Sequence, residues 1–473
     1  MSTLLLVVGL VFLLSAILFV VGLHQMRTPS SARRGNLLSA AGMAVAIAGT
    51  TVYAVVASGG HAWGWIALAL GIVLGGGFGA VRARTVKMTD IPQLVSLFNA
   101  VGGGAAAAIA FTGFLNETTS GRVRLDSSIP IVLDVIIGAV SLAGSLVAMG
   151  KLQGVIPGRP LQFPGSRLVN TVVAVVFVAA GVLTIVLPHS PVLLLVVLIA
   201  ALLFGILMVL PIGGADAPVV VSLLNALTGL AVAMAGFVID NQAMIIAGAL
   251  VGSAGTILTL QMAAAMNRSV RAIILGGFGT GDAAAPTAGP GAGAENVRQV
   301  TVDDVGIQLA YAQHVMIVPG YGLASAQAQH EVAELAKLLT DHGIDVKYAI
   351  HPVAGRMPGH MNVLLAEVNV PYSQLLQLDE ANAAFETCDV ALVIGANDVT
   401  NPAARRPGNP VSGMPILNVD HAKSIVVIKR SMSPGYAGIA NELFTDPKTG
   451  MLFADAKAAL TGIITAVKEY VAA

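Results

Sequence analysis

The sequence predicts a multi-span α-helical membrane domain of about nine helices, followed by a soluble α/β domain with a doubly wound, Rossmann-like parallel sheet. Three observations support this prediction. First, 56% of the 473 residues are hydrophobic and only 11% are charged, which is too apolar for an ordinary soluble protein. Second, apolar stretches of membrane-spanning length follow one another up to about residue 275. Third, short apolar runs alternate with helical patterns beyond that point.

Nine stretches are long and apolar enough to cross a bilayer as helices, which takes about 20 residues each. They cover approximately residues 4–23, 36–58, 62–81, 91–115, 130–150, 168–187, 191–210, 217–238 and 243–266. The first stretch has no basic residue before it and no clear small-residue cleavage site. We therefore expect it to stay in the protein as a span and not to be removed as a signal peptide.

The loops between these stretches differ in charge. Alternate loops contain eleven Lys or Arg residues, whereas the opposite loops contain little beyond Arg122 and Arg124. Basic loops stay on the cytoplasmic side of a membrane, so this asymmetry predicts a cytoplasmic C-terminal domain. The formal net charge of zero gives no indication of a nucleic-acid partner, and the single cysteine, Cys388, excludes an intramolecular disulfide.

The membrane part contains an internal repeat. The segment DIPQLVSLFNA at residues 90–100 matches DAPVVVSLLNA at residues 216–226. In both copies an acid precedes a proline at a predicted helix start, and a Ser and an Asn three residues apart share a helix face. These pairs are Ser96 with Asn99 and Ser222 with Asn225. They are either hydrogen-bonding contacts between helices or parts of a polar path through the bundle.

Asp134 is a further acid inside a predicted span and is therefore a candidate functional residue. The histidines of this part of the chain are His24, His61 and His189. They lie near span ends or in loops, so none of them is placed as a proton relay in the middle of the membrane.

Residues 276–298 separate the two parts of the chain. Gly, Ala and Pro dominate this segment, and no hydrophobic period appears in it, so we predict a flexible linker. The predicted organisation is a transmembrane domain at residues 1–275, the linker, and an ordered domain at residues 299–473.

Strand candidates in the ordered domain are residues 315–318, 346–350, 390–394 and 424–428, and helical patterns cover residues 324–340 and 455–471. The last two strand candidates are continuous apolar runs, which is typical of strands buried on both faces of a parallel sheet. Ligands of doubly wound sheets bind beyond the carboxyl ends of the strands. The loops at those ends are therefore the candidate binding site.

The first of these loops, residues 320–325, reads GYGLAS and fits G-x-G-x-x-A except for serine at the last position. In this pattern Gly320 allows a tight turn and Gly322 lets the backbone approach a pyrophosphate. The helix start that follows supplies N–H groups to the same anion. The alternative interpretation is a structural turn that binds no ligand.

The ends of the second and fourth predicted strands bear on the choice of cofactor. The acid that commonly selects NAD is missing, because Asp345 opens the second strand and His351 closes it. The fourth strand ends in Lys429, Arg430 and Ser431. Two cations and a hydroxyl suit a dianionic phosphate, which Arg can bind in a bidentate manner. These features favour NADP over NAD, the alternative being that the basic pair is solvated surface charge.

Two further loops complete the candidate site. Residues 395–402 combine turn-forming residues with Asp398, which either contacts a ribose or nicotinamide or shapes an Asx turn. Residues 433–438 place glycines around Tyr436, which suggests a flap over a bound cofactor. The sequence has no catalytic triad, phosphate-loop motif or metal-ligand spacing, so we expect the chemistry to belong to the cofactor.

These motifs closely resemble the beta subunit of proton-translocating nicotinamide nucleotide transhydrogenase. The matching segments are residues 88–99, 212–229, 319–330, 351–367, 395–404, 429–438 and 453–457, and they extend over nearly the whole chain. The resemblance implies hydride transfer between NADH and NADP⁺ coupled to proton translocation. It places NADP(H) on this chain and NAD(H) on a partner alpha subunit. It also implies a dimer of alpha–beta units in the lipid of a bacterial cytoplasmic membrane.

The resemblance and the loop motifs together give the candidate site residues. The candidates for NADP(H) binding are Gly320, Tyr321, Gly322, Ala324, Ser325, Val353, Ala354, Gly355, Arg356, Pro358, Gly359, Gly395, Ala396, Asn397, Asp398, Lys429, Arg430, Ser431, Gly435, Tyr436, Asp455 and Ala456. The candidates for the proton path and its coupling are Asn99, Asp216, Asn225 and Ser253.

Asn99 departs from the family pattern, because some members have a channel histidine at this position and asparagine cannot titrate. A histidine of the partner subunit, or water held by Asn99 and Asn225, is then expected to carry the proton. The competing functional class is a transporter or channel gated by a cytoplasmic nucleotide-sensing domain. A third is an assembly protein that binds a nucleotide without turnover.

Overall fold

The structure of the chain is a computed structural model. It describes residues 2–58, 62–87, 90–120, 125–157, 161, 165–187, 190–212, 217–265, 270, 297–355, 359–409, 411–435 and 437–471. The chain divides into two compact units, Met1–Ile212 with Val220–Thr259 and Gly213–Val219 with Leu260–Ala473. The predicted linker lies outside the described residues except for its last two positions. The predicted domain boundaries at residues 275 and 299 therefore stay a prediction.

Long apolar helices make up the described residues of the N-terminal part. They are α1 Ser2–Gln25, α2 Pro29–Ser58, α3 Ala62–Gly71, α4 Gly77–Thr85, α5 Ile91–Ser120, α6 Leu125–Leu152, α7 Ser166–Val186, α8 Pro191–Val209, α9 Ala217–Val238 and α10 Gln242–Ala265. A π-helical turn, Ile72–Gly76, joins α3 to α4. With α3 and α4 taken as one, nine helices of the described residues are long and apolar enough to cross a membrane. The prediction of about nine spans is confirmed.

Small residues occupy the closest helix contacts of this unit. A Cβ atom added to Gly138 of α6 would lie 2.5 Å from the carbonyl oxygen of Gly103 in α5. A Cβ atom added to Gly205 of α8 would lie 2.6 Å from the carbonyl oxygen of Val140 in α6. The backbones approach so closely that a side chain has no room, which is a common way for membrane helices to gain packing energy without a hydrophobic effect between them.

The described residues of the C-terminal part form one sheet of six parallel strands. The strands are β1 His314–Pro319, β2 Asp345–Ala349, β3 Leu375–Leu376, β4 Val390–Ile394, β5 Ser424–Lys429 and β6 Thr449–Phe453. Their order is β3-β2-β1-β4-β5-β6, which is the order of dinucleotide-binding folds. The predicted fold class is confirmed.

The sheet is covered by helices on both faces, which explains the continuous apolar runs of its central strands. The helices are α11 Val302–Ala310, α12 Tyr321–Ser325, α13 Gln329–Asp341, α14 His360–Glu367, α15 Leu378–Ala384 and α16 Ala456–Val471. On one face, alternate strand residues such as Val393 and Val427 pack with Phe385 and Phe444. Elsewhere α16 packs against α11 and α13, and Lys457 of α16 lies 3.1 Å from Glu331 of α13.

The structure corrects the sequence prediction at three elements. Strands β3 and β6 were not predicted, because β3 has only two residues and β6 is a short run with a glycine inside it. The helix predicted at residues 324–340 is two helices, α12 and α13. They are separated at Gln327, whose φ of 52° is left-handed and ends a right-handed helix.

Candidate functional site

The candidate cofactor residues that the structure describes lie beyond the carboxyl ends of strands. Residues 320–325 follow β1, residues 353–355 and 359 follow β2, residues 395–398 follow β4, residues 430–435 follow β5 and Asp455 follows β6. Because all the strands are parallel, these loops share one edge of the sheet. Strands β1 and β4 are neighbours at the point where the strand order changes direction, which is where such folds bind nucleotides.

The loops after β1 and β4 are in direct backbone contact. The N–H of Gly320 donates to the carbonyl of Ile394 at 2.9 Å, and that of Gly322 donates to the carbonyl of Gly395 at 3.0 Å. Gly395 has a φ of 67°, and a Cβ atom on it would lie 2.2 Å from Cα of Gly322. The packing of the two loops thus requires glycine at both position 322 and position 395. The G-x-G pattern alone did not reveal this reason.

The loop after β2 starts from a buried histidine. His351 Nε2 lies 2.8 Å from the carbonyl oxygen of Pro415, and its Nδ1 accepts the N–H of Val353 at 3.2 Å. Burial lowers the pKa of His351 to about 4, and the hydrogen bond to Pro415 opposes this shift. A neutral imidazole that donates from Nε2 and accepts at Nδ1 satisfies both bonds, so His351 shapes this loop.

The same loop returns toward the glycine-rich turn. A Cβ atom on Gly355, whose φ is 101°, would lie 2.5 Å from Nδ1 of the buried His360. The His360 ring meets that of Tyr321 edge to face, with 6.5 Å between centroids. The structure therefore brings Gly355 and His360 beside the 320–325 loop. The candidates Arg356 and Pro358 lie outside the described residues.

The basic cluster after β5 has two different kinds of cation. The Lys429 ammonium donates to the carbonyl oxygen of Ser433 and lies 4.8 Å from the ring centroid of Phe444. Burial lowers the pKa of Lys429, and the nearby Asp398 carboxylate opposes that shift. Arg430 is exposed, and beside it the Ser431 hydroxyl lies 2.9 Å from that of Ser433. Lys429 thus holds its own loop, whereas Arg430 and Ser431 face solvent.

The loop after β5 folds against the loop after β4. Asp398 Oδ2 accepts the N–H of Ala437 at 3.0 Å, and a Cβ atom on Gly435 would lie 2.5 Å from Asp398 Oδ1. Asn441 donates to the carbonyl oxygen of Asn397 at 2.9 Å. Asp398 therefore binds the facing loop, a role that neither sequence interpretation had given it. Tyr436, the aromatic residue of the predicted flap, lies outside the described residues.

Asp455 begins the last helix at the carboxyl end of β6. Its Oδ1 accepts the N–H of Lys457 at 3.1 Å, and its side chain is exposed. This is the geometry of a helix N-cap. Ala456 is buried beside it. Because β6 was not predicted, only the family resemblance had placed these two residues at the site.

The carboxyl end of β2 has no acid next to it within the described residues, since Ile350 and His351 occupy that position. Asp345 lies at the opposite edge of the sheet, where it is 3.3 Å from Lys347 and 3.7 Å from His314. A phosphate at the carboxyl edge would meet Arg430 and Ser431 and no carboxylate from β2. The residues present therefore fit the extra phosphate of NADP(H) better than the ribose hydroxyl of NAD(H).

Among the predicted polar residues of the membrane unit, Asn99 and Ser222 form contacts between helices, whereas Ser96 donates to the carbonyl oxygen of Pro92 in its own helix. The Asn99 side chain in α5 donates to the carbonyl oxygen of Val221 in α9 at 3.5 Å. Ser222 in α9 lies 3.1 Å from the hydroxyl of Thr259 in α10. These bonds correspond to the first of the two sequence interpretations, contacts that join helices. Asn225 is half-buried, Ser253 is exposed, and Asp216 lies outside the described residues.

Sequence reasoning missed two hydroxyls in this network. Ser141 of α6 lies within hydrogen-bond distance of Thr228 in α9 and donates to the carbonyl oxygen of Leu224 at 3.2 Å. Thr228 donates to the carbonyl oxygen of Asn99 at 3.2 Å. Serine and threonine are common in membrane helices, so their positions alone carried little signal. Ser141 does stand seven residues after Asp134, on the same helix face.

Fold and site together define a class of protein: a multi-span membrane helix bundle joined to a dinucleotide-type domain. The sequence of this chain matches the family described as NAD(P) transhydrogenase beta subunit over residues 8–466. Two relatives named NAD(P) transhydrogenase subunit beta, from Rhodospirillum rubrum and from a particular strain of that species, are each 45% identical to it. Each match spans 469 residues, which is 96% of this chain and 98% of the relative.

The chain therefore belongs to the NAD(P) transhydrogenase beta subunit family. The resemblance noted from the loop motifs is confirmed. Members of this family use nicotinamide nucleotides, and the word subunit implies an alpha partner.

Proposed function

We propose that this chain holds NADP(H) in its C-terminal domain and provides most of the proton path of a transhydrogenase. Hydride would pass between NADH and NADP⁺ while protons cross the membrane. The partner alpha subunit would hold NAD(H), because the sheet of this chain offers one nucleotide-binding edge. When bound, the nicotinamide ring of NADP(H) accepts or donates the hydride.

The observation that carries this proposal is the exposed pair Arg430 and Ser431 at the carboxyl end of β5. A guanidinium and a hydroxyl there can bind the phosphate that distinguishes NADP(H) from NAD(H). Lys429 stabilises the loop that contains this pair by donating to the carbonyl oxygen of Ser433. The Asp398–Ala437 bond fixes the next segment against the 395–398 loop.

The remaining cofactor contacts follow from the shared edge of the sheet. Residues 320–325 lie beside Gly355 and His360, through the contact of the Tyr321 and His360 rings. Together with residues 395–398 and Asp455 they surround the switch point between β1 and β4. We include Arg356, Pro358 and Tyr436 on the resemblance and the loop motifs alone.

The partner and membrane arrangement is proposed on chemical grounds. The reacting carbons of two nicotinamides must come within about 3–3.5 Å of each other, so the alpha subunit must dock at the site edge. The basic loops favour a cytoplasmic C-terminal domain in a bacterial cytoplasmic membrane. We also propose a dimer of alpha–beta units in lipid, with Asn99, Asp216, Asn225 and Ser253 taking part in coupling.

The experiment is titration calorimetry on the C-terminal domain, residues 297–473, with NADP⁺ and with NAD⁺. We expect much tighter binding of NADP⁺, and Arg430→Ala should weaken it by about 1.5–3 kcal/mol for a charge-assisted contact. Lys337→Ala is the control, because Lys337 is an exposed cation paired with Asp341 on α13. Equal affinity for the two nucleotides, or an Arg430→Ala domain that binds NADP⁺ like the control, would contradict the proposal.

A further inference from the structure

Asp134 stands out among the buried polar groups of the membrane unit. It lies in the candidate span Ser127–Leu152, seven residues or about 10 Å from the start of that span. Its side chain is 0% exposed. Neither carboxylate oxygen has a hydrogen-bond partner among the residues that the structure describes. An ionised carboxylate is strongly disfavoured in such a place, so acids found there usually serve a function.

No charged residue within the spans is placed to neutralise Asp134. Every other Asp, Glu, His, Lys or Arg of the nine candidate spans lies within four residues of a span end. On α5 the carboxylate of Glu117 accepts a bond from Ser127. On α7, a Cβ atom added to Gly181 would lie 3.0 Å from Val132 of α6, and Arg167 is fourteen residues from Gly181, about 20 Å along the helix. Helices α8 and α9 contain no titratable side chain.

The face of α6 that contains Asp134 is polar along much of its length. Ser141 and Ser145 follow at seven and eleven residues, which places all three on one helix face. Ser141 contacts Thr228, and Thr228 contacts the carbonyl oxygen of Asn99. Ser145 is 0% exposed and, like Asp134, has no partner for its hydroxyl among the described residues. This polar face of α6 (Asp134, Ser141 and Ser145) thus contains two buried groups that hydrogen-bond to nothing described.

Asn99 and the polar face of α6 are complementary in chemistry. The main-chain carbonyl of Asn99 is joined to Ser141 through Thr228, and the side-chain amide of Asn99 cannot gain or lose a proton in the physiological range. A carboxyl group can do so, and its neutral form is the one that apolar surroundings tolerate. The only acid on this face is Asp134. Buried side chains of this kind recur in proton relays through membranes.

We propose that Asp134 is a proton-binding site of the membrane unit. Its carboxylate takes up one proton to become a carboxylic acid and releases the same proton later, with no other bond formed or broken. The inference rests on the proposed function, since proton translocation gives this site its purpose. It supplies, on α6, the titratable group that Asn99 does not supply on α5.

The test uses the complete complex of this chain with an alpha subunit, reconstituted in lipid vesicles. Asp134→Asn keeps the shape of the side chain and removes the titratable group, and Asp134→Glu restores that group. Thr184→Val is the matched control, because Thr184 is also fully buried in a span but, among the described residues, its hydroxyl bonds only to the carbonyl oxygen of Ala180. The measurements are the infrared band of protonated carboxyl groups, dye-reported proton uptake and the transhydrogenation rate.

We expect the wild-type complex to show a buried carboxylic-acid band that is absent in Asp134→Asn and shifted in Asp134→Glu. Proton uptake should fall roughly tenfold or more in Asp134→Asn, as for the loss of an acid–base group. It should recover in part in Asp134→Glu and stay near wild type in Thr184→Val. If the Asp134→Asn complex does not assemble, the Asp134→Glu complex decides the question: the proposal requires a shifted infrared band and partial proton uptake in that variant.

An unchanged infrared band or wild-type proton uptake in Asp134→Asn would overturn the inference and leave the proposed function intact. A wild-type complex without transhydrogenation would refute the proposed function, whereas the infrared band would still decide whether Asp134 binds a proton. Replacing sodium by choline in the buffer should change neither the band nor the uptake. Loss of the band on addition of sodium would show a cation site and contradict the proposal.

Discussion

Four buried polar side chains, two in each part of this chain, differ in whether they have hydrogen-bond partners. In the C-terminal domain, Asn401 donates to the carbonyl oxygen of Ala440 and accepts N–H groups from Ala403 and Glu442. His351 likewise uses both ring nitrogens. In the membrane unit, Asp134 and Ser145 are just as buried, but the structure describes no partner for them.

This difference follows from what each backbone requires. The described residues of the loops after β4 and β5 have only short 3-10 helical turns, and the side-chain amides of Asn401 and Asn441 satisfy backbone carbonyl groups there. Membrane helices satisfy their own backbone completely and do not need Asp134 or Ser145 for that purpose. A buried acid of the bundle without a described partner, such as Asp134, is therefore a better indication of function than a buried amide that bonds to loop backbone, such as Asn401.

The largest expected effect is a loss of stability when a hydrogen-bonded buried side chain of the C-terminal domain is removed. Asn401→Ala removes three loop bonds and leaves backbone groups buried, so the free energy of unfolding of the C-terminal domain should fall by about 2–4 kcal/mol. Denaturant unfolding of residues 297–473 measures it. The control is Asn362→Ala, an Asn of α14 with none of these bonds, for which we expect a change within about 0.5 kcal/mol. Equal effects of the two substitutions would contradict the comparison.

The next effect concerns pH. His351 has a pKa of about 4 in the folded domain against 6.5 unperturbed, so only the unfolded chain gains a proton between these values. The contribution of His351 to the free energy of unfolding is therefore retained above about pH 6.5 and is lost as the pH is lowered toward 4. The loss should be about 2 kcal/mol between pH 7 and pH 5. Asp389, whose pKa its Lys423 and backbone bonds lower to about 2, loses its contribution only below this window.

His351→Gln is the variant that isolates this effect. Glutamine can still donate to the carbonyl oxygen of Pro415, but it does not titrate. Unfolding curves at pH 7 and pH 5 should therefore differ less in this variant than in the wild-type domain. The same pH slope in both proteins would show that another group is responsible.

The smallest expected effect lies in the membrane unit. Ser145→Ala removes a hydroxyl that has no partner among the described residues. The stability of the purified chain in detergent should therefore change by no more than about 0.5 kcal/mol, and its thermal midpoint should change little. Ser141→Ala removes bonds to Leu224 and Thr228 and should lower the midpoint more. A larger loss with Ser145→Ala than with Ser141→Ala would show that Ser145 has a structural partner.

Much of the fold could be predicted because its signals lie along the chain. Length and apolarity identify a membrane span without reference to neighbours, and the nine candidates were found this way. The central strands β4 and β5 are continuous apolar runs, so their burial on both faces was also readable. The loops at the carboxyl edge followed from strand order once a doubly wound sheet was expected.

The sequence by itself thus determined the two-part architecture, the family and the edge of the sheet where the candidate loops meet. Only the tertiary structure decided that Gly322 packs against Gly395, that Asp398 holds the segment at Ala437, and that Lys429 supports its loop while Arg430 faces solvent. It also showed that Asp134 is enclosed without a described partner. The physical reason is that hydrogen bonding and close contact depend on groups far apart in sequence, whereas apolar periodicity is a local property of the chain.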